Sequence, residues 1–183
     1  MTHPASVDDR RQDRTGHGRR CLSAPGVVAG AVLRSARLSA GVSKATLAAA
    51  SGVTEDTIWS WQGGSSSLAE VPLPRVQVLE AALMVAGADP RLVADLGAAA
   101  WCDLLIVALA GCEDTACLTA DPVAGTDTFR ELLAWSAAGH VPARYRPYAA
   151  PRRLLTDATV IDRVARLLDA MPAQLAAAGG SAV

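Results

Sequence analysis

At 183 residues with 51% hydrophobic side chains, the chain is long enough to bury one or two small cores, and two compact parts are the default expectation. A formal charge of −1 excludes a molecule-wide basic footprint, so any affinity for nucleic acid has to come from local patches. The polar N-terminus lacks a secretory pattern, the four cysteines therefore imply a reducing cytosol, and the longest uncharged apolar stretch of the second half, Leu104 to Cys112, falls far short of the roughly 20 residues a membrane span requires.

Residues 1–25 hold five arginines (Arg10, Arg11, Arg14, Arg19 and Arg20), three aspartates and almost no large apolar side chain. Such a segment cannot bury enough surface to offset the entropy of ordering it, and it reads as a flexible basic arm. From Gly26 the pattern turns helical: Val28, Val32 and Ala36 recur every four residues with Leu33 beside them, until Gly41 supplies a stop. Val42 and Leu47 then bracket Ser43 as a hydrophobic staple around an N-cap, which predicts a second helix. Val53, Thr54 and Ile58 repeat the device after the short Ser51-Gly52 turn and predict a third. Gly63-Gly64 and the serines Ser65 to Ser67 close it. A fourth helix follows Pro72 and Pro74, carrying Val76, Leu79 and Leu83 inward until Gly87.

Asp89-Pro90 places an N-cap before a proline at the first helical position and opens a helix expected to reach about Ala110, with Gly97 as a point of bending or splitting. Beyond Gly111, Thr128 and Glu131 have capping-box spacing and lead a helix through Leu132, Leu133 and Trp135 to Gly139. A last helix is predicted from Thr156, with Leu155 and Val160 as its staple, through Val164, Leu167 and Leu168 to a stop at Pro172. No run alternates with period two for long enough to argue a strand, and no internal repeat is present, so the predicted fold class is all-α. The expected organisation is the arm over residues 1–25, a helical unit over 26–97 and a C-terminal helical region over 98–183.

Two short helices joined by so tight a glycine-containing turn have the spacing of a helix-turn-helix. The segment SKATLAAASGVTEDTIWSWQGG, preceded by LRSAR, resembles the core of Cro/C1-type (XRE) helix-turn-helix repressors, and the resemblance extends over residues 30–87, roughly a third of the chain. Leu33, Arg34 and Arg37 carry it in the first helix, Ser43, Leu47 and Ala48 in the second, and Gly52-Val53 at the turn. Thr57, Ile58, Trp61 and Gly64 complete it. Leu47, Ala48, Ile58 and Trp61 are the residue types that pack two such helices, and Gly52 tolerates a positive φ at the turn.

The resemblance implies a helix-turn-helix domain followed by a C-terminal α-helical domain, with double-stranded DNA as partner and a homodimer reading paired half-sites. It implies a cytoplasmic, nucleoid-associated regulator, a repressor in its simplest form. The third helix, residues 54–62, would enter the major groove. Carried across by position, the DNA-contacting set is Arg34, Arg37, Ser43, Lys44, Thr54, Glu55, Asp56, Thr57, Trp59 and Ser60. Ile58 and Trp61 share one face of that helix, Asp56 and Ser60 point the other way, and Glu55 and Trp59 lie on a flank. Arg34, Arg37, Lys44 and the amino ends of helices two and three are the phosphate candidates.

Charge is the departure from the family pattern, because Glu55, Asp56 and an apolar Trp59 stand where polar or basic residues are common. Two readings follow. The carboxylates accept from cytosine N4 while Trp59 meets a thymine methyl or a sugar, or the two acids simply complement the dipole of the helix they begin. The same charge motivates a rival function, a protein-interaction adaptor that keeps the repressor fold without reading bases. The arm likewise has two readings, as a minor-groove contact or as a solvated tail.

Elsewhere, Cys102, Cys112 and Cys117 with His140 contain no CxxC pair and lack zinc-finger spacing, so no metal is expected and Cys102 reads as a small buried hydrophobe. His3 and His17 fall in the arm, His140 has no neighbouring nucleophile or carboxylate in sequence, and no phosphate loop or nucleotide fingerprint occurs, so neither enzymatic activity nor a cofactor is expected. Residues 140–155, HVPARYRPYAAPRRLL, hold both tyrosines and four arginines (Arg144, Arg146, Arg152 and Arg153). This segment either faces a phosphate backbone or acidic partner, or anchors by its tyrosines with its arginines solvated or paired to Asp157 and Asp162. Leu104, Leu105, Ile106, Leu132, Leu133, Leu167 and Leu168 offer more apolar surface than three short helices easily cover. The C-terminal region is therefore expected to dimerise and to offer a surface for a protein partner or a small effector.

Overall fold

The computed structural model describes residues 25–111 and 127–171. The arm, Cys21, Cys112, Cys117 and Pro172 lie outside the described residues. Seven α-helices follow in order among those described: α1 (Val27–Ser39), α2 (Lys44–Ser51), α3 (Glu55–Gly63), α4 (Leu73–Val85), α5 (Pro90–Gly111), α6 (Asp127–Ala138) and α7 (Ala158–Ala170). Single 3-10 turns at Leu68–Glu70 and Ala143–Tyr145 complete the regular structure, and no strand occurs among the described residues, so the fold is all-α.

Local signals set the first three helices. Ser43 Oγ accepts from the Thr46 amide at 3.0 Å, and Thr54 Oγ1 accepts from the Thr57 amide at 3.2 Å, so both caps bond an amide that the first helical turn leaves without a partner. Between them Gly52 has φ +66°, a left-handed conformation that costs glycine little, and it turns the chain from α2 toward α3.

Later elements differ from the sequence expectation: α4 begins at Leu73, between the two prolines expected to precede it, because Pro74 fits the first turn of a helix, where its missing N–H is not needed. α5 runs as one 22-residue helix through Gly97, without the split that this residue offered. α6 begins at Asp127, which puts Thr128 within its first turn rather than ahead of it. α7 begins at Ala158 because Asp157, not Thr156, is its cap: one Asp157 carboxylate oxygen accepts from the amides of Thr159 (2.8 Å) and Val160 (3.3 Å). A charged acceptor at the positive end of a helix outcompetes the neighbouring hydroxyl.

Packing centres on α1, which lies against α5 on one side and α3 on another. Buried side chains from both halves of the chain, from Val28 through Ile58, Leu96 and Ile106 to Leu133 and Leu167, join in one apolar cluster. α1 crosses α3 at close range, since a Cβ on Gly30 would stand 2.4 Å from the Trp61 carbonyl oxygen. A second tie is polar. Gly26 gives α1 no side-chain cap, and the Asp103 carboxylate of α5 takes that role, accepting from the amides of Val28 and Ala29 at 2.9 Å each. Burial outweighs those two bonds and pushes the Asp103 carboxyl up to about 7.

α5 is also long and apolar enough to cross a membrane, with an 18-residue stretch of mean hydropathy 2.0, because the helix incorporates residues on both sides of Asp103 that the shorter uncharged run omits. Its inner face is committed to the core through Leu92, Leu96, Ala99, Cys102, Ile106 and Leu109. Of the apolar side chains expected to await a second subunit, Ile106, Leu132, Leu133 and Leu167 are instead buried within the chain, and Leu105 and Leu168 are partly so. Leu104 remains exposed, with Trp101 and Val107 on the same outer side of α5.

Candidate nucleic-acid interface

Ile58 and Trp61 point α3 into the core, and the opposite side of the helix carries the exposed Glu55, Asp56 and Trp59. No described residue bonds either carboxylate. Trp59 is 62% exposed, an uncommon position for the largest apolar side chain, and the Lys44 Nζ lies over its ring at 5.1 Å from the centre. That contact joins the first residue of α2 to the outer face of α3, so the two helices present one surface with a cation, an indole and two carboxylates.

The polar residues of the set divide by what they already bond. The Ser43 and Thr54 hydroxyls are caps, and each is also within 2.8 Å of a partner hydroxyl, Thr46 and Thr57 respectively. These pairs hold the amino ends of α2 and α3 at the surface, where unpaired amides face outward. Ser60, expected to point toward bases, is instead only half-exposed and lies 2.9 Å from Ser65 Oγ and 2.7 Å from Ser66 Oγ, which ties it into the loop after α3.

Arg37 is likewise held within the fold. Its Nη1 donates to the Val42 carbonyl at 2.6 Å and its Nε to Gln62 Oε1 at 3.4 Å, bracing the α1–α2 turn against α3. Burial, with Arg34 nearby, lowers its pKa from the ordinary value. Arg34 is exposed but does not join the Lys44–Trp59 surface; it lines a cleft between α1, the end of α3 and the chain around residues 148–156. One cation escaped the sequence reading: Arg75, in the first turn of α4, donates from Nη1 to the Gly52 carbonyl at 3.4 Å and so stands beside the α2–α3 turn. Only its position just after Pro72 and Pro74 hinted at it, since nothing local links α4 to Gly52.

The basic connection between α6 and α7 is mixed in character. Tyr145 is buried against Trp135, with ring centres 5.1 Å apart, and its hydroxyl donates to Asp95 Oδ2 at 2.6 Å. Arg144 pairs with the same carboxylate at 2.6 Å and with Glu131, not with Asp157 or Asp162. Burial opposes the Arg144 charge, but the hydrogen bonds to Glu131 and Asp95 outweigh it and hold the guanidinium above its ordinary value. Arg152 and Arg153 are exposed, with no ion-pair partner among the described residues. The carbonyl of Ser136 accepts from the amides of Leu154 and Leu155, which pins the end of this connection to α6.

Cys102 is buried, and its thiol, 3.7 Å from the Phe129 carbonyl, is pushed well above the ordinary thiol value by burial and then by Asp103. No group of three or more His, Cys, Asp or Glu side chains that could hold a metal occurs among the described residues. Compared with protein-family models, with curated proteins and with solved structures, the chain matches none.

Proposed function

We propose that this chain is a sequence-specific DNA-binding transcriptional regulator of the Cro/C1 helix-turn-helix type, in which α2 and α3 form the motif and α3 reads the major groove. The observation that carries the reading is the outer surface of α2 and α3, where the exposed Trp59 meets Lys44 and both helices offer capped amino ends. Lys44, Arg75 and those amides would hold phosphates, and Trp59 with Glu55 and Asp56 would meet base edges. Ser43 and Thr54 serve by shaping the amino ends, and Arg37 by bracing α3. Two copies would read paired half-sites, the exposed Trp101, Leu104 and Val107 of α5 seating the second copy, and occupancy of a promoter would repress it. No catalytic role or cofactor forms part of the reading.

The second reading, an adaptor that binds a protein through the same surface, is favoured by one specific observation: Glu55 and Asp56 are exposed and no described cation pairs with them. Selection of bound fragments from genomic DNA, run at several salt concentrations, separates the two. The regulator enriches a defined sequence with a steep salt dependence, and the adaptor enriches none even at low salt.

A further inference from the structure

A cleft of about 570 Å³ opens between α1, the last turn of α3 and the chain leading into α7. Its volume is that of a small-molecule site, within the range of roughly 300 to 1,000 Å³ typical of ligand pockets. Its chemistry is one-sided. Arg34, Arg152 and Arg153 line it and, among the described residues, no carboxylate does, nor does any described residue bond or pair with one of the three guanidinium groups. Three cations around one cavity repel one another unless an anion sits between them.

A second, independent observation lies on the wall of the same cleft. Trp135 is 1% exposed, its indole N–H can only donate, and that donor has no partner among the described residues. Gln62, also on the wall, gives its amide oxygen to Arg37, which leaves the buried Nε2 without an acceptor. A buried donor left unpaired is costly, and two of them belong to residues that line this arginine-bearing cleft, where an acceptor oxygen reached by a small shift of either side chain would satisfy them. Val27, Leu154 and the ring of Tyr148 supply apolar wall between these groups.

We propose that this cleft binds a small anionic molecule, a carboxylate or phosphate carried on a compact apolar body. Arg152 and Arg153 bind the charge, Arg34 closes the opposite side, and Trp135 and Gln62 donate to its oxygens. Because Gln62 and Gly63 form the last turn of α3, occupancy is mechanically joined to the helix that would read DNA. That regulatory consequence rests on the function proposed above; the binding site itself does not.

The test uses the full chain without DNA, so that its failure is distinguishable from failure of DNA binding. Amide and indole spectra, with the four tryptophan indole signals assigned by triple-resonance experiments, are recorded during titration with benzoate, inorganic phosphate and the neutral benzamide. Benzoate or phosphate should move the Trp135 indole signal saturably below about 10 mM, while benzamide leaves it in place. Arg152→Ala and Arg153→Ala, exposed changes that leave the rest of the spectrum unaltered, should each weaken that binding about tenfold. Trp135→Phe removes the reporter indole, so its binding is read from the backbone amide signals of residues 148–156, and it should be weaker as well; should that variant fail to fold, the two arginine variants decide. No saturable shift with either anion, an equal shift with benzamide, or a shift indifferent to both arginine changes overturns the proposal.

Discussion

Asp103 is the sharpest point at which to test the architecture, because one side chain on α5 caps a helix 75 residues earlier in the chain. Asp103→Ala leaves the buried amides of Val28 and Ala29 without acceptors, at about 1 to 3 kcal/mol each, so the loss should be roughly 2 to 6 kcal/mol. Asp103→Asn keeps one oxygen but turns an NH2 group toward the other amide, and should cost about half as much. The pH dependence carries the sign. The folded-state pKa, about 7, lies above the ordinary aspartate value of 3.8, so between those values the folded chain holds a proton that the unfolded chain has released. Stability from this group is therefore fully present below the unfolded pKa and is lost as pH rises toward the folded pKa. At about 1.4 kcal/mol per pKa unit, the advantage of wild type over Asp103→Asn should widen by about 2 to 3 kcal/mol from about pH 8 to about pH 5. Urea unfolding of both proteins across that range measures it. A gap that stays constant or narrows on acidification would refute the argument, and so would Asp103→Ala with less than about 1 kcal/mol of destabilisation.

Three predictions concern the proposed interface. Lys44→Ala should weaken binding to all DNA sequences alike and lower the salt slope by about one counterion, which fluorescence anisotropy at several salt concentrations reads directly; an altered sequence preference with an unchanged slope would contradict the assigned phosphate role. Glu55→Gln and Asp56→Asn should relax or switch preference at one base pair, costing roughly 1 to 3 kcal/mol there, if a carboxylate accepts from cytosine. Uniformly tighter binding to any DNA would instead mark the acids as dipole partners only. Leu104→Glu, on the exposed side of α5, should leave the chain monomeric in sedimentation at micromolar concentration with its helical content intact, and a persistent dimer would remove that face from the interface.

The amino-acid sequence by itself determined what depends on neighbours within one helical turn. Ser43, Thr54 and Gly52 fixed the ends of α2 and α3, and the spacing of Ile58 and Trp61 decided which side of α3 is buried, because capping and periodicity act over three or four residues. The same local reasoning failed where two acceptors compete side by side, as at Thr156 and Asp157. It also overestimated Gly97, which an otherwise well-packed helix tolerates. Tertiary structure decided everything that joins distant segments. It placed Asp103 at the start of α1, drew Arg144 onto Asp95 and Glu131, and buried Leu132, Leu133 and Leu167, which the sequence left for a partner. It also separated Arg34 from Lys44 and gathered it with Arg152 and Arg153 around one cleft, more than a hundred residues apart along the chain. The physical reason is one of range: an isolated charge or leucine reads the same wherever it stands, and only chain packing specifies the opposite charge, the orphan amide or the apolar wall that it meets.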